Sequence, residues 1–238
     1  MELIISLIFA IVPGIGLAVF IYTIDDHEPE PVNLLVLSFI LGMASFAFSL
    51  IPGKFLDHLV DGIHNLLRAR AVHAFASVAF IEEVSKFAIV RGILYRNHNF
   101  NEPLDGIVYS VMVGLGFATL ENVVYVFYEG IDSGILRMFT AIPAHAMFAV
   151  VMGYFLGIAK FKHKNEFSNA VFALFLAVVL HGAYDYFLFI SYIPGMWLGA
   201  LACFIVTFFL ASRSIKIHRE YSPLHKHDGE NPDLEIGL

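Results

Sequence analysis

The stretch Asn169–Ile190 reads NAVFALFLAVVLHGAYDYFLFI and is almost entirely apolar. An α-helix needs about 20 such residues to cross the hydrocarbon core of a bilayer. The rest of the chain has the same character, because 58% of its 238 residues are hydrophobic and only 15% are charged. A soluble domain carries about 25% charged residues. The sequence therefore predicts an integral membrane protein and excludes a soluble enzyme.

Six further segments of similar length are also mostly apolar, and polar stretches separate most of them. Together with Asn169–Ile190 they predict an all-α, polytopic helical bundle with about seven transmembrane helices. The other six predicted spans are Leu3–Ile24, Asn33–Ile51, Val72–Ile93, Leu104–Tyr128, Met138–Ala159 and Pro194–Ser212.

Two segments outside these spans differ in character. Residues 54–70 alternate polar and apolar side chains at helical spacing, which predicts an amphipathic helix lying at the membrane interface. The segment after residue 212 is polar and contains two prolines, so we expect it to be disordered. We therefore divide the chain into a transmembrane domain, residues 1–212, and a disordered cytoplasmic tail, residues 213–238, in which His218 is expected to be solvated.

The basic residues of the loops predict the orientation in the membrane. The N-terminal side of the predicted spans carries four Lys and Arg residues, and the opposite side carries nine. Because the cytoplasmic side holds the excess of basic residues, we expect a multi-pass protein of the cytoplasmic membrane with its N-terminus outside. The net charge of −7 and the lack of a basic patch exclude nucleic-acid binding. The four basic residues expected outside are Lys54, Arg68, Arg70 and Arg137.

Seven ionisable residues lie inside four consecutive predicted spans, where each costs at least about 2.5–3.5 kcal/mol on insertion scales. At a helical rise of about 1.5 Å per residue, five of them lie at a similar depth, roughly 8–15 Å below the outer face. Such residues are functional by default. The seven are Glu82, Glu83 and Lys86 in the third span, Glu121 in the fourth, His145 in the fifth, and His181 and Asp185 in the sixth.

The types and spacing of these residues indicate hydrolytic or metal chemistry. His181 and Asp185 are four residues apart and share a helix face, and imidazole with carboxylate suits zinc or another divalent metal. Glu82 and Glu83 point about 100° apart on a helix, so we expect different roles for them. One would activate water as a general base, and the other would be a ligand or a hydrogen-bond partner. Glu82 and Lys86 can also form an ion pair that is partly structural.

Three short motifs resemble those of the PrsW family of intramembrane proteases. Glu82–Lys86, EEVSK, is similar to the family motif E-E-x-x-K, and Phe117–Glu121, FATLE, is similar to F-x-x-x-E. His181–Asp185, HGAYD, is similar to H-x-x-x-D. The stretches Asp26–Pro31 and Pro143–Tyr154 also resemble the family. The resemblance covers about residues 1–190, and each of the three motifs lies inside a predicted span.

The resemblance implies an intramembrane endopeptidase that cleaves single-span, membrane-anchored proteins, such as anti-sigma factors, near the extracytoplasmic face. It implies essential roles for Glu82, Glu83 and His181, and we place Lys86 and Glu121 in the catalytic group with them. The family is usually treated as metal-dependent, so a divalent metal, first of all Zn²⁺, is the expected cofactor. The expected ligands are His145, His181, Asp185 and Glu121.

Two alternatives remain open. The CAAX-processing relatives of the family have also been interpreted as glutamate proteases, in which a Glu and a His activate water without metal. Their second motif ends in His where this chain has Glu121, so their ligand set does not transfer directly. The other alternative is a proton- or cation-coupled transporter, because chains of carboxylates and histidines also form proton relays.

Overall fold

The computed structural model describes residues 2–24, 28–162 and 165–220. Within this part, the chain forms helices and no strand. The α-helices are α1 Glu2–Tyr22, α2 Val32–Val60, α3 Leu66–Val72, α4 Ile81–Gly92, α5 Pro103–Glu129, α6 Ile131–Phe139, α7 Ala141–Phe161, α8 Glu166–Phe189 and α9 Trp197–Glu220. A π-helix, His73–Phe80, joins α3 to α4, and a 3₁₀ turn, Leu94–Arg96, follows α4.

Six helical segments of the described chain are long and apolar enough to cross a membrane, which confirms a polytopic helical membrane protein. They match six of the predicted spans, with bounds that differ by a few residues. The predicted span Val72–Ile93 is not among them, because Glu82, Glu83, Lys86 and Arg91 make it too polar. The six segments are Ile4–Tyr22, Val32–His58, Pro103–Glu129, Ile131–Phe161, Glu166–Phe189 and Trp197–Glu220.

The composite helix, which we define as α3, the π-helix and α4 together (residues 66–92), nevertheless runs alongside α8 from end to end. At one end, the His73 ring lies 5.0 Å from the ring of Phe189, the last residue of α8. At the other end, Arg91 Nη2 lies 2.6 Å from the Oε1 atom of Glu166, the first residue of α8. The two helices are therefore antiparallel, and the composite helix spans the height of the bundle despite its charges.

The prediction of a separate interfacial helix over residues 54–70 is wrong. Helix α2 continues past Pro52 to Val60, and α3 begins at Leu66, where the Asn65 side chain accepts a hydrogen bond of 3.0 Å from the backbone N–H of Arg68. The alternation of polar and apolar residues is helical, but it belongs to the ends of two helices joined by a turn.

The predicted boundary of the tail also differs from the structure. Helix α9 extends to Glu220, and His218 is only 3% exposed. Its Nδ1 atom lies 2.9 Å from the carbonyl oxygen of Pro103, and its ring lies 4.4 Å from that of Tyr154. The expectation of a solvated His218 is therefore wrong, because the last turns of α9 pack on the start of α5. Residues 221–238 lie outside the described part.

Helices α5 and α7 form the centre of the bundle and are buried along most of their length. They pack very closely, because a Cβ atom on Gly153 of α7 would overlap the backbone carbonyl of Gly106 of α5. Gly116 of α5 allows the same close approach to Phe39 of α2. Small residues let membrane helices pack backbone to backbone. This packing holds α5 and α7, and the side chains they carry, in fixed positions.

Candidate active site

The composite helix contributes two glutamates with different environments. Glu83 is buried, with a side chain 1% exposed, and its Oε1 atom lies 2.9 Å from Lys86 Nζ and 2.9 Å from His181 Nδ1. Glu82 is 14% exposed, and its Oε2 atom lies 3.5 Å from Lys86 Nζ. The π-helix ends just before this pair, and π-helical turns occur frequently at functional sites. Glu83 is thus an internal hydrogen-bond acceptor, whereas Glu82 borders open space.

Helix α8 contributes His181 and Asp185, and the His181 ring lies between carboxylates. Its Nδ1–H donates to Glu83, and its Nε2 atom lies 3.2 Å from Asp185 Oδ2 and 4.0 Å from Glu82 Oε2. The ring also stacks on Phe148 of α7 at 5.0 Å. Carboxylate partners and a stacked ring fix the orientation of a histidine in the way typical of metal-binding and catalytic imidazoles.

His145 of α7 and Glu121 of α5 complete the cluster. His145 Nδ1 lies 3.1 Å from Lys86 Nζ, and His145 Nε2 lies 3.0 Å from Glu121 Oε2. Because the Lys86 ammonium can only donate, this arrangement assigns the ring proton to Nε2 and leaves Nδ1 as the acceptor. The His145 and His181 rings meet edge to face, 5.0 Å apart. The structure thus brings together all seven residues singled out by the sequence: Glu82, Glu83, Lys86, Glu121, His145, His181 and Asp185.

Sequence reasoning did not find two further groups. The first is Arg137 of α6, which in the sequence counts only among the basic residues of the loops. Its Nη2 atom lies 2.7 Å from Glu121 Oε2. His73 Nε2 lies 3.2 Å from Asp57 Oδ1 in the same cavity as the cluster. Neither contact can be predicted from residue spacing along one helix, because each joins side chains from two different helices.

A cavity of about 650 Å³ connects the cluster to one end of the bundle. Its inner part is lined by Glu82, His145 and His181, and its outer part by Asp57 and Glu129 near the ends of α2 and α5. The cavity is therefore a route by which water and a polypeptide segment can reach a site between membrane helices.

The cluster also has the composition of a metal site. Glu82, His145 and His181 each offer one ligand atom, and these atoms lie within 4.8 Å of one another. The buried Glu82 Oε2 has no hydrogen-bond partner within the described chain. The cluster contains four carboxylates, from Glu82, Glu83, Glu121 and Asp185, and only Lys86 and Arg137 as permanent cations. With neutral histidines it has an excess of two negative charges, which a divalent cation would balance.

The fold and the site together define a polytopic membrane protein with a buried acid–histidine centre that opens to one end of the bundle. The family model for the PrsW family intramembrane metalloproteases matches residues 30–212. The chain belongs to the PrsW family, and this membership supports a function as a membrane protease.

Individual relatives cover most of the chain. The protein named protease PrsW from Geobacillus kaustophilus is 35% identical over 219 residues, which are 91% of this chain and 94% of the relative. The protease PrsW of Bacillus subtilis is 34% identical over 179 residues, or 75% of this chain and 80% of the relative. That of Clostridioides difficile is 34% identical over 193 residues, or 78% and 79%. No solved structure matches the chain.

Proposed function

We propose that this protein is an intramembrane endopeptidase that cleaves single-span, membrane-anchored proteins near the extracytoplasmic face. The observation that carries the proposal is the convergence of carboxylates and histidines from four membrane helices on one cavity. Family membership supports peptide hydrolysis as the reaction. An anti-sigma factor is the kind of substrate that the resemblance of the motifs implies.

Glu82 is the general base in this proposal. Its side chain borders the cavity, and its buried Oε2 atom has no hydrogen-bond partner within the described residues, so a water molecule at the inner end of the cavity would have this oxygen as an acceptor. Glu82 takes a proton from the water that attacks the scissile carbonyl, and it then delivers this proton to the leaving nitrogen. Glu83 does not fit this role, because its Oε1 atom is already held by Lys86 and His181.

Glu83 and Lys86 act through their neighbours. Glu83 accepts the Nδ1–H of His181, which directs His181 Nε2 towards Glu82 and Asp185. Lys86 donates to Glu83 and to His145 Nδ1, so it partly balances the carboxylates and fixes the His145 ring. These groups hold the site in one geometry before substrate arrives, which is the condition for efficient proton transfer.

The residues present fit a divalent metal. His181 Nε2 and His145 Nδ1 would supply nitrogen ligands, the latter in place of its hydrogen bond from Lys86. Asp185, 3.2 Å from His181 Nε2, would supply the oxygen ligand, because Glu82, whose oxygen also lies near both rings, acts as the base. Glu121 lies next to His145 but also forms an ion pair with Arg137. We therefore assign Glu121 as the hydrogen-bond partner of His145 and not as a metal ligand. When bound, the ion would act as a Lewis acid on the water and on the scissile carbonyl.

Activity in proteoliposomes tests the proposal. With a purified single-span substrate, the wild-type protein should cleave near the extracytoplasmic face, and Glu82→Gln and His181→Ala should abolish cleavage. His58→Ala is the matched control, because the His58 side chain is 81% exposed and makes no contact with the cluster. Full activity in both site variants would overturn the assignment. Ion flux without any proteolysis would instead favour a transporter.

Metal dependence is tested separately. We expect purified protein to contain about one divalent ion per chain, chelation to remove activity, and Zn²⁺ to restore it. A preparation that is free of metal and fully active would replace the metal-assisted mechanism by one in which Glu82 and the two histidines activate water alone.

The proposed orientation places the mouth of the cavity outside the cell. Lys54 and Arg137, which line the cavity, are on the side that the distribution of basic residues predicts to be external. In a Cys203→Ser background, a membrane-impermeant maleimide should label Asp132→Cys in intact cells and His98→Cys only after lysis. The reverse pattern would invert the orientation and move the cleavage site to the cytoplasmic face.

A further inference from the structure

Arg137 is the one side chain of α6 that forms an ion pair with the catalytic cluster in the described structure. Its Nη2 atom lies 2.7 Å from Glu121 Oε2, and its guanidinium lies over the Tyr125 ring, 3.8 Å from the ring centre. Glu121 and Tyr125 are one helical turn apart on α5, so both contacts are on the same face. The Arg137 side chain is only 16% exposed. Arg70, by contrast, is exposed.

Arg137 reaches the cluster because α6 packs tightly against α5. The chain enters α6 through Gly130, which has a φ of +88°, a conformation that favours glycine. Gly134 then lies against Val126, where a larger side chain would overlap the valine. Phe139, two residues after Arg137, is exposed and apolar, whereas the exposed side chain of Leu136 lines the cavity beside Arg137. Helix α6 thus places one cation in the cavity.

The same Glu121 oxygen that pairs with Arg137 lies 3.0 Å from His145 Nε2. Arg137, Glu121 and His145 therefore form a continuous chain of charged and hydrogen-bonded groups. Opposite charges 2.7 Å apart in a mostly buried setting attract each other strongly, so Arg137 holds in place the carboxylate that accepts the His145 proton. Lys86, on the other side of the ring, requires Nδ1 to remain an acceptor.

We propose that Arg137 is a positioning residue for the reaction, an assignment that rests on the proposed protease function. Arg137 holds Glu121 so that it accepts the Nε2–H of His145, and this keeps His145 in the tautomer whose Nδ1 accepts from Lys86. Because Arg137 belongs to α6, the catalytic geometry depends on the seating of this external helix on α5.

Steady-state kinetics in proteoliposomes test the proposal. Arg137→Gln should lower kcat by about 10–100-fold, as the loss of an outer partner of an active-site histidine does, with KM changed by less than about 3-fold. Arg137→Lys should recover part of the loss, because lysine keeps the charge but not the planar fork. The control is Arg70→Gln, which removes an exposed guanidinium expected on the same membrane side and should leave both constants unchanged. Full activity of Arg137→Gln would overturn the proposal.

A double-mutant cycle tests whether Arg137 acts through Glu121. If it does, adding Arg137→Gln to Glu121→Gln should cause almost no further loss, because the two side chains act as one unit. Losses that multiply would show that Arg137 acts by another route and would refute the positioning role.

A spectroscopic measurement keeps the test independent of proteolysis. In chelated protein labelled with ¹⁵N-histidine, where no ion fixes the tautomer, the signals of His145, assigned by their loss in His145→Gln, should show one Nε2–H tautomer in the wild type and a mixture in Arg137→Gln. Unchanged His145 signals in folded Arg137→Gln would refute the proposal. If Arg137→Gln does not fold, Arg137→Lys gives the same comparison. A tautomer change in a protein that never cleaves substrate would instead reject the protease function alone.

Discussion

Replacing Glu83 by glutamine separates the roles of the two adjacent glutamates. Glutamine keeps the size of the side chain and an oxygen at the Oε1 position, so the carbonyl can still accept from Lys86 Nζ and His181 Nδ1. It removes only the negative charge of the group that accepts these two hydrogen bonds, each 2.9 Å long. The Lys86 ammonium still has the Glu82 carboxylate 3.5 Å away, so Lys86 does not become an unpaired buried cation. The change therefore weakens the orientation of His181 without removing a group that borders the cavity.

The size of the effect follows from the two bonds. A hydrogen bond to a charged group contributes about 1.5–3 kcal/mol and one between neutral groups about 0.5–1.5 kcal/mol. The bond from His181 changes from the first kind to the second, whereas the bond from Lys86 keeps its charged donor, so the loss is about 1–1.5 kcal/mol in total. If this loss weakens binding of the transition state, kcat decreases about 10-fold, because each tenfold change in rate corresponds to about 1.4 kcal/mol. Glu82→Gln should lose far more, since it removes the base itself.

The assay is single-turnover cleavage of a single-span substrate in proteoliposomes, with the bound metal measured on the same samples. We expect activity to decrease in the order wild type, Glu83→Gln, Glu82→Gln, with thermal stability in detergent showing that all three are folded. If folded Glu83→Gln were as inactive as Glu82→Gln, or more so, the division of roles derived from their environments would be refuted.

Two further predictions concern the fold. Gly153→Leu should prevent stable folding, because its side chain would need the space of the Gly106 carbonyl. The control, Gly62→Leu, should leave the melting temperature in detergent nearly unchanged, because a Cβ atom at Gly62 would meet no atom within 4 Å. A folded Gly153→Leu would contradict the packing described for α5 and α7. Asp105→Ala should lower stability by about 0.5–2 kcal/mol, since Asp105 Oδ2 accepts two backbone N–H groups, at 2.6 and 2.8 Å, before the first turn of α5. A denaturation midpoint equal to that of the wild type would show that this cap does not stabilise the helix.

The sequence predicted the membrane class and the members of the cluster because lipid makes polar residues conspicuous. His181 and Asp185 stand out in an apolar span, since each would be unfavourable there without a purpose. Helix ends were harder to predict. The second predicted span ends at Ile51, yet α2 continues through Pro52 to Val60, because membrane helices tolerate proline when neighbouring groups satisfy the freed carbonyl.

Contacts between helices could not be predicted in the same way. Arg137 and Glu121 are sixteen positions apart in the sequence, and nothing in their spacing shows that α6 folds back over α5. The different burial of Glu82 and Glu83 likewise depends on where α8 lies. A helical wheel gives the angle between two side chains, but it does not say which of them a neighbouring helix will cover.

The polar character of the composite helix has a consequence for how the protein is made. Three charges at mid-membrane, Glu82, Glu83 and Lys86, would oppose insertion of this segment alone by roughly 8–10 kcal/mol on translocon scales. Lys86 can pair with Glu82 and Glu83 within the segment, but the further partners, His145 and His181, are synthesised later. We therefore expect this segment to settle in the bilayer only when α7 and α8 have followed it. Insertion and maturation of the active site would then be one event, and an incomplete nascent chain would have no proteolytic activity.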